Sequence, residues 1–255
     1  DYPVYRLFIT VVGLCSVIAL AVWLNAARPG MFGAAPREVV MPRQQTAHWL
    51  LVLLLLLGLS LWAYDSFQVG AFMDDAQYVV LAESIAHGPI YGTVNQPGTP
   101  GPTPFPFGFP LVLAAFTWLP NPLWAMKLVS LFATLLNVTI LFWGWPLFVQ
   151  GRPYWLRLAT VSLLAASPLV VGNTRTVMSE PVFLTWLLLS LVLAAQSAAH
   201  PRSILYPVGL GMSLTLMIFT RTIGVAPAAG VALVIVAASL ASKLSRAQGE
   251  SAAPL

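Results

Sequence analysis

The chain has 255 residues, of which 58% are apolar and only 8% charged, against about 25% charged in an ordinary soluble domain. That composition excludes a soluble globular domain and points to an integral membrane protein. The net charge of +4 does not indicate a nucleic-acid binder, because the Lys and Arg residues stand singly between apolar runs rather than clustered on one polar face.

A bilayer core of about 30 Å takes roughly 20 apolar residues in a helix. Runs meeting or approaching that length lie near 5–27, 47–64, 122–148, 157–172, 180–198, 204–220 and 223–241. The expected architecture is an all-α polytopic membrane protein with about seven transmembrane helices. The first run is too long for a signal peptide and lacks a small-residue cleavage site. It holds the single cysteine, Cys15, which reads as a small packing residue. The second run leads into 65–121, the one long segment expected outside the membrane plane. Within it the pattern predicts a helix over 74–87 that Gly88 stops. Tyr78, Leu81, Ala82 and Ile85 fall on one stripe and Asp75, Glu83, Ser84 and His87 mostly off it, as in an amphipathic helix lying at a lipid surface. Residues 91–110, rich in Gly and Pro and without charge, predict a rigid, partly extended loop. The run 107–119 is short and interrupted by prolines, so a re-entrant or surface helix is expected there instead of a crossing.

Short cytoplasmic loops accumulate Lys and Arg. Arg28, Arg37 and Arg43 occupy the first connection, Arg152 and Arg157 the third, Arg202 with His200 the fifth, and Lys243 with Arg246 the tail. These connections are therefore expected inside and the N-terminus outside. The outer side then carries Asp65, Asp74, Asp75, Glu83 and Glu180 with Lys127, Arg175 and Arg221.

Each of these charges has two readings. Asp74 is either an N-cap, its carboxylate accepting from the first-turn amides, or a general base facing an acceptor hydroxyl or amine. Asp75 could cap while Asp74 reacts, or the reverse. Glu180, between Ser179 and Pro181, suits a helix start with Ser as cap, yet an acid at membrane depth costs about 2.5–3.5 kcal/mol and tends to mark function. Arg175 and Arg221 read either as an Arg175–Glu180 ion pair or as guanidiniums snorkelling to the interface, or else as a clamp whose planar forks match phosphate oxygens. No Walker loop, HExxH, CxxC or GxSxG occurs, and His48, His87 and His200 are far apart, so no metal-ligating set is expected.

The order of segments MDDAQYVVLAESIAHG (73–88), TPFPFGFPLVLAAF (103–116), SEPVFLTWLLLSLVLA (179–194) and TRTIGVAPAAGVALVIV (220–236) resembles the GT-C superfamily of polyprenyl-phosphate-sugar-dependent glycosyltransferases. The nearest branch is the one with protein O-mannosyltransferases and lipid A aminoarabinose transferases. The resemblance covers about 47–241 and implies an inner-membrane, multi-pass enzyme with an extracytoplasmic active site. It takes a polyprenyl-phosphate-sugar donor and a lipid, glycan or protein acceptor, and no nucleic acid. It implies Asp74 as the catalytic carboxylate with Asp75 beside it, Glu180 as a second acidic site residue and Arg221 as the donor-phosphate contact. Arg175 is a further phosphate candidate, and Tyr78 and His87 are substrate-contact candidates. Metal dependence stays open, since some branches use a divalent ion and others do not. TPFPFGFP lacks the Lys or His that many relatives carry there. Relatives usually continue through further spans, and residue 1 is Asp rather than Met, so the chain is expected to be a piece of a longer protein.

The expected organisation is an extra N-terminal helix and basic loop over 1–45, a GT-C-like core over 46–241 and a polar tail over 242–255. Residues 4–41 resemble, over a short stretch, branched-chain amino-acid ABC-transporter permeases. Two other functional classes stand beside the transferase. A permease component would place polar groups mid-span beside broken helices. In a non-catalytic membrane subunit, Asp74 and Glu180 would only cap helices.

Overall fold

The structure is a computed structural model and describes residues 43–62, 64, 68–88, 91–98, 105–149, 151–200, 202–234 and 236–237. The span expected at 5–27, the cations Arg28, Arg37, Lys243 and Arg246, and Asp65 lie outside the described residues. The described residues up to Thr222 belong to one compact unit, and those from Ile223 onward fall outside it. Every described element is helical; among the described residues there is no strand.

This unit runs α1 (Arg43–Trp62), α2 (Asp74–His87), α3 (Gly108–Ala114), α4 (Pro122–Phe148), α5 (Tyr154–Ala165), α6 (Pro168–Asn173), α7 (Glu180–Ala199) and α8 (Leu205–Thr220). Three of these, α1, α4 and α7, are long and apolar enough to cross a membrane. Tyr154–Ala165, Leu205–Thr220 and Thr222–Val234 are apolar but shorter. α3 has seven residues, about 10 Å at 1.5 Å per residue, too short to cross.

The single span expected at 157–172 is two helices. Pro168 has no amide to donate, and its ring pushes the preceding residue out of the helical region. Ser167 is accordingly extended, at φ −62° and ψ 129°. α4 starts where Asn121 accepts from the Trp124 amide at 3.3 Å and Pro122 fills the first turn, a pairing that suits a helix N-terminus.

α4 organises the unit. α1 lies antiparallel to it, with the Trp49 indole donating to Thr139 Oγ1 at 3.2 Å at one end and the Tyr64 hydroxyl to the Trp124 carbonyl at 2.9 Å at the other. α7 lies parallel to it, since Ser130 reaches Met178, Asn137 reaches Pro181, and Gly144 faces Val192. α8 returns antiparallel along α7, with Ser190 bonded to Ser213 and Leu193 against Gly209. One apolar cluster joins α2, α3, α4 and α7 through Tyr78, Phe109, Leu113, Met126 and Val182. Another joins α1, α4, α5 and α6 through Leu56, Val138, Phe142, Val161 and Val171.

These pairings put Arg43, Arg152 and Arg202, all exposed, at one end of the unit. Arg157, expected among the loop cations, is instead buried. Its guanidinium lies between the Phe142 and Tyr154 rings at 4.7 and 4.6 Å and donates to Gln45 Oε1 at 2.7 Å. The rings supply attraction to the cation that lost water would otherwise provide.

Gly108 lets α3 touch α8: an added Cβ would come 2.5 Å from the Phe219 carbonyl oxygen. Gly108→Ala should therefore lower the thermal midpoint of the detergent-solubilised protein, by about 1–3 kcal/mol of overpacking. Gly58→Ala, which meets nothing within 4 Å on α1, should raise it by about 0.5–1 kcal/mol.

Candidate functional site

The end opposite the exposed arginines gathers the acids, and the helix pairings explain how. Because α7 and α8 run antiparallel, the first residue of α7 and the residue closing α8 come to the same level. Those residues are Glu180 and Arg221, and they form an ion pair. Each charge suits its position, since a helix N-terminus favours an anion and a C-terminus a cation. Glu180 Oε1 takes the arginine; Oε2 is buried with no hydrogen-bond partner among the described residues.

α2 brings the loop acids to this pair. Tyr78 is buried on α2, its ring edge-on to Phe105 and Phe109 at centroid distances of 5.2 and 4.9 Å. Its hydroxyl shares a 2.8 Å hydrogen bond with Ser179 Oγ. That bond fastens α2 to the residue just before Glu180. Asp74 lies four residues from Tyr78, on the same helical face, so it falls within the field of Glu180 and Arg221. Burial raises the Asp74 carboxyl above its ordinary range, Glu180 raises it further, Arg221 pulls it down, and Asp75 adds a smaller upward push. Burial likewise raises the Tyr78 hydroxyl, so it is a neutral donor or acceptor at physiological pH.

The two adjacent acids divide their roles. Asp75 is 1% exposed; its carboxylate accepts from the amides of Gly70 and Ala76 at 2.9 and 2.8 Å. This ties the entering loop to the helix. Asp74 does not cap: Met73 holds the cap position without a side-chain bond. The Asp74 amide instead donates to the Phe72 carbonyl at 2.6 Å across Met73, at φ 58° and ψ −53°. This is a γ-turn of the strained, positive-φ hand, and Met73 is not a glycine that would adopt it freely. Strain of this type, of order 1–3 kcal/mol, persists only where neighbouring contacts over-determine it.

Several expectations are corrected by this geometry. Asp75 and Ser84 belong to the buried face of α2, not the exposed one, because each satisfies a loop amide; Ser84 Oγ accepts from Gly92 at 3.0 Å. Ser179 occupies the cap position of α7 but makes no cap bond, its hydroxyl being engaged by Tyr78. Glu180 pairs with Arg221 and not with Arg175, whose Nε donates to the Val171 carbonyl at 3.3 Å. Tyr78 is buried, with its hydroxyl bonded to Ser179. His87 pairs with Glu83 at 3.0 Å and packs on Trp118, at the opposite end of α2, about 20 Å from Asp74 by helical rise. Lys127 lies near the start of α4, at the end away from the exposed arginines, where it is buried and donates to the Tyr64 carbonyl at 3.4 Å.

The structure thus brings together Asp74, Asp75, Glu180 and Arg221 and leaves His87 apart. The Tyr78–Ser179 bond escapes sequence reasoning. Its only signal is that a buried tyrosine hydroxyl needs a partner, which does not say which one. Among the described residues no three of His, Cys, Asp and Glu come together to hold a metal ion. No family model, curated protein or solved structure matches the chain.

The division of labour is testable by thermal unfolding in detergent across pH. Asp75→Ala should destabilise by about 1–3 kcal/mol, because two amides lose their acceptor. Asp74→Asn should do the reverse. A raised carboxyl means that the folded state disfavours the charge, so the contribution of Asp74 is most favourable below its unfolded pKa and is lost as pH rises through the higher folded value. The midpoint of Asp74→Asn should therefore match or exceed that of the native chain near neutral pH, with the gap closing in acid.

Proposed function

We propose that this chain is a membrane glycosyltransferase, moving a sugar from a polyprenyl-phosphate donor to a lipid, glycan or protein acceptor on the extracytoplasmic face of the cytoplasmic membrane. The observation that carries the reading is the meeting of Asp74 with the Glu180–Arg221 pair, at the end of the unit away from Arg43, Arg152 and Arg202. With cations inside, that end faces outward, in a bundle of about seven spans.

In this reading Asp74 accepts the proton of the acceptor hydroxyl or amine as its lone pair forms the bond to the anomeric carbon. The bond from that carbon to the phosphate oxygen breaks on the opposite face, and its electron pair leaves with the polyprenyl phosphate. Anomeric configuration inverts. A carboxyl whose pKa is raised by burial and by Glu180 is a stronger base than an exposed one. Arg221 offers a planar fork to the phosphate, where negative charge grows as the bond breaks. Glu180 holds that fork in place. Arg175, half-buried on the turn between α6 and α7, is a second candidate for the same anion.

A permease would use broken helices with polar groups at mid-membrane. The break at Ala166–Ser167 is of that form, but no charged residue lies between Arg157 and Arg175 in the sequence. The acids sit at helix ends instead.

Membranes supplied with a panel of polyprenyl-phosphate sugars test the proposal. Asp74→Asn should lower transfer by about a hundred- to ten-thousand-fold while abundance and insertion persist; retained activity removes Asp74 from the base role. The rising limb of kcat/KM against pH should lie above the ordinary carboxylate range. Glu180→Gln should move it to lower pH and Arg221→Gln to higher pH, following the sign of each neighbour on Asp74.

A further inference from the structure

Glu180 is held from a direction that the site itself does not reveal. α4 carries two polar side chains seven residues apart, Ser130 and Asn137, both fully enclosed at 0% and 3% exposure. Seven residues is close to two turns, so both project toward the same neighbour, and that neighbour is α7. The Ser130 hydroxyl donates to the Met178 carbonyl at 3.2 Å, and the Asn137 amide donates to the Pro181 carbonyl at 2.9 Å. Residues 178 and 181 bracket Glu180. Asn137 is doubly used, since its Oδ1 accepts from Thr185 Oγ1 at 2.8 Å. Thr185 also lies within 3.0 Å of the Pro181 carbonyl.

An amide within a candidate membrane span is costly unless fully bonded, and Asn137 uses both of its ends on α7. A purely packing role would be served by a leucine at this position without that cost. Ser179, between the two held carbonyls, makes no cap bond of its own, so the backbone at the start of α7 is not fixed by the usual local device. The Ser190–Ser213 bond sets the level of α7 against α8, and the hold of α4 on residues 178 and 181 fixes the backbone that carries Glu180 to that level.

We infer that Ser130 and Asn137 are positioning residues that fix the backbone on both sides of Glu180 and so set the Glu180–Arg221 pair. This deepens the transferase reading and rests on it for its functional meaning, but the geometry it predicts exists whether or not the chain transfers sugar.

The test is carbodiimide labelling of carboxylates in the purified, detergent-solubilised full chain, read by peptide mass spectrometry. Glu180 is paired and partly covered in the native chain; Glu83, paired with His87 at the far end of α2, serves as the internal reference. Asn137→Leu and, as a milder change that keeps the fold if the first does not, Ser130→Ala are compared with the native chain at temperatures where each is folded. The expected result is a rise of roughly fivefold in Glu180 labelling, the shift one interhelical hydrogen bond can supply, with Glu83 unchanged. A general loosening would raise both. Glu180 labelling equal to native in both variants, or rising only in step with Glu83, overturns the inference. Because labelling needs no substrate, a chain inactive toward every lipid-linked sugar would remove the transferase reading and leave this result standing.

Discussion

Two helix termini meet in the Glu180–Arg221 pair, and the rest of the site is arranged around that meeting. An acid opens α7 and an arginine closes α8, so each backbone dipole favours the charge it presents. Antiparallel packing brings the two to one level. The Ser190–Ser213 bond, with the Ser213 hydroxyl donating to the Trp186 carbonyl at 2.8 Å, fixes that level partway along the helices. In a membrane, where apolar surface is as content against lipid as against protein, such small-residue and hydroxyl contacts set register more than hydrophobic burial does. The pair in turn sets the field at Asp74.

The second constraint is the loop before α2. Asp75 draws two amides onto one buried carboxylate and leaves Ala71, Phe72 and Met73 exposed, Met73 at 80%. The positive φ at Met73 is the local cost of turning the chain sharply into α2. The turn leaves Asp74 at the first helical position, with no cap bond and within the field of Glu180 and Arg221. One acid is spent on structure so that its neighbour stays available. Asp75 is thereby a structural residue, and the chemistry proposed for the pair rests on Asp74 alone.

Much of the fold is legible in the chain because its signals are local. The helix over 74–87 is readable from its stripe and from Gly88, and the observed helix has those bounds. The long apolar runs at 122–148 and 180–198 read directly as helices, and α4 and α7 follow them. Pro168 is visible too, but a run of apolar residues hides that it divides 157–172 into α5 and α6. The inward turn of Asp75 and Ser84 is not legible, because hydrophobic periodicity counts a polar residue as outward-facing whatever it bonds. Nor is the choice of Arg221 over Arg175 as the partner of Glu180. Arg175 lies only five positions before Glu180, yet it is helix pairing, a property of distant segments, that decides which arginine arrives.

The proposed chemistry requires that Asp74, Glu180 and Arg221 face the outer side of the membrane. In a Cys15→Ser background, Asp74→Cys probed with a membrane-impermeant maleimide on intact cells tests this most directly. Labelling from outside without permeabilisation is expected, with Arg152→Cys labelled only after it. Labelling of position 74 that appears only once the membrane is opened would contradict that orientation.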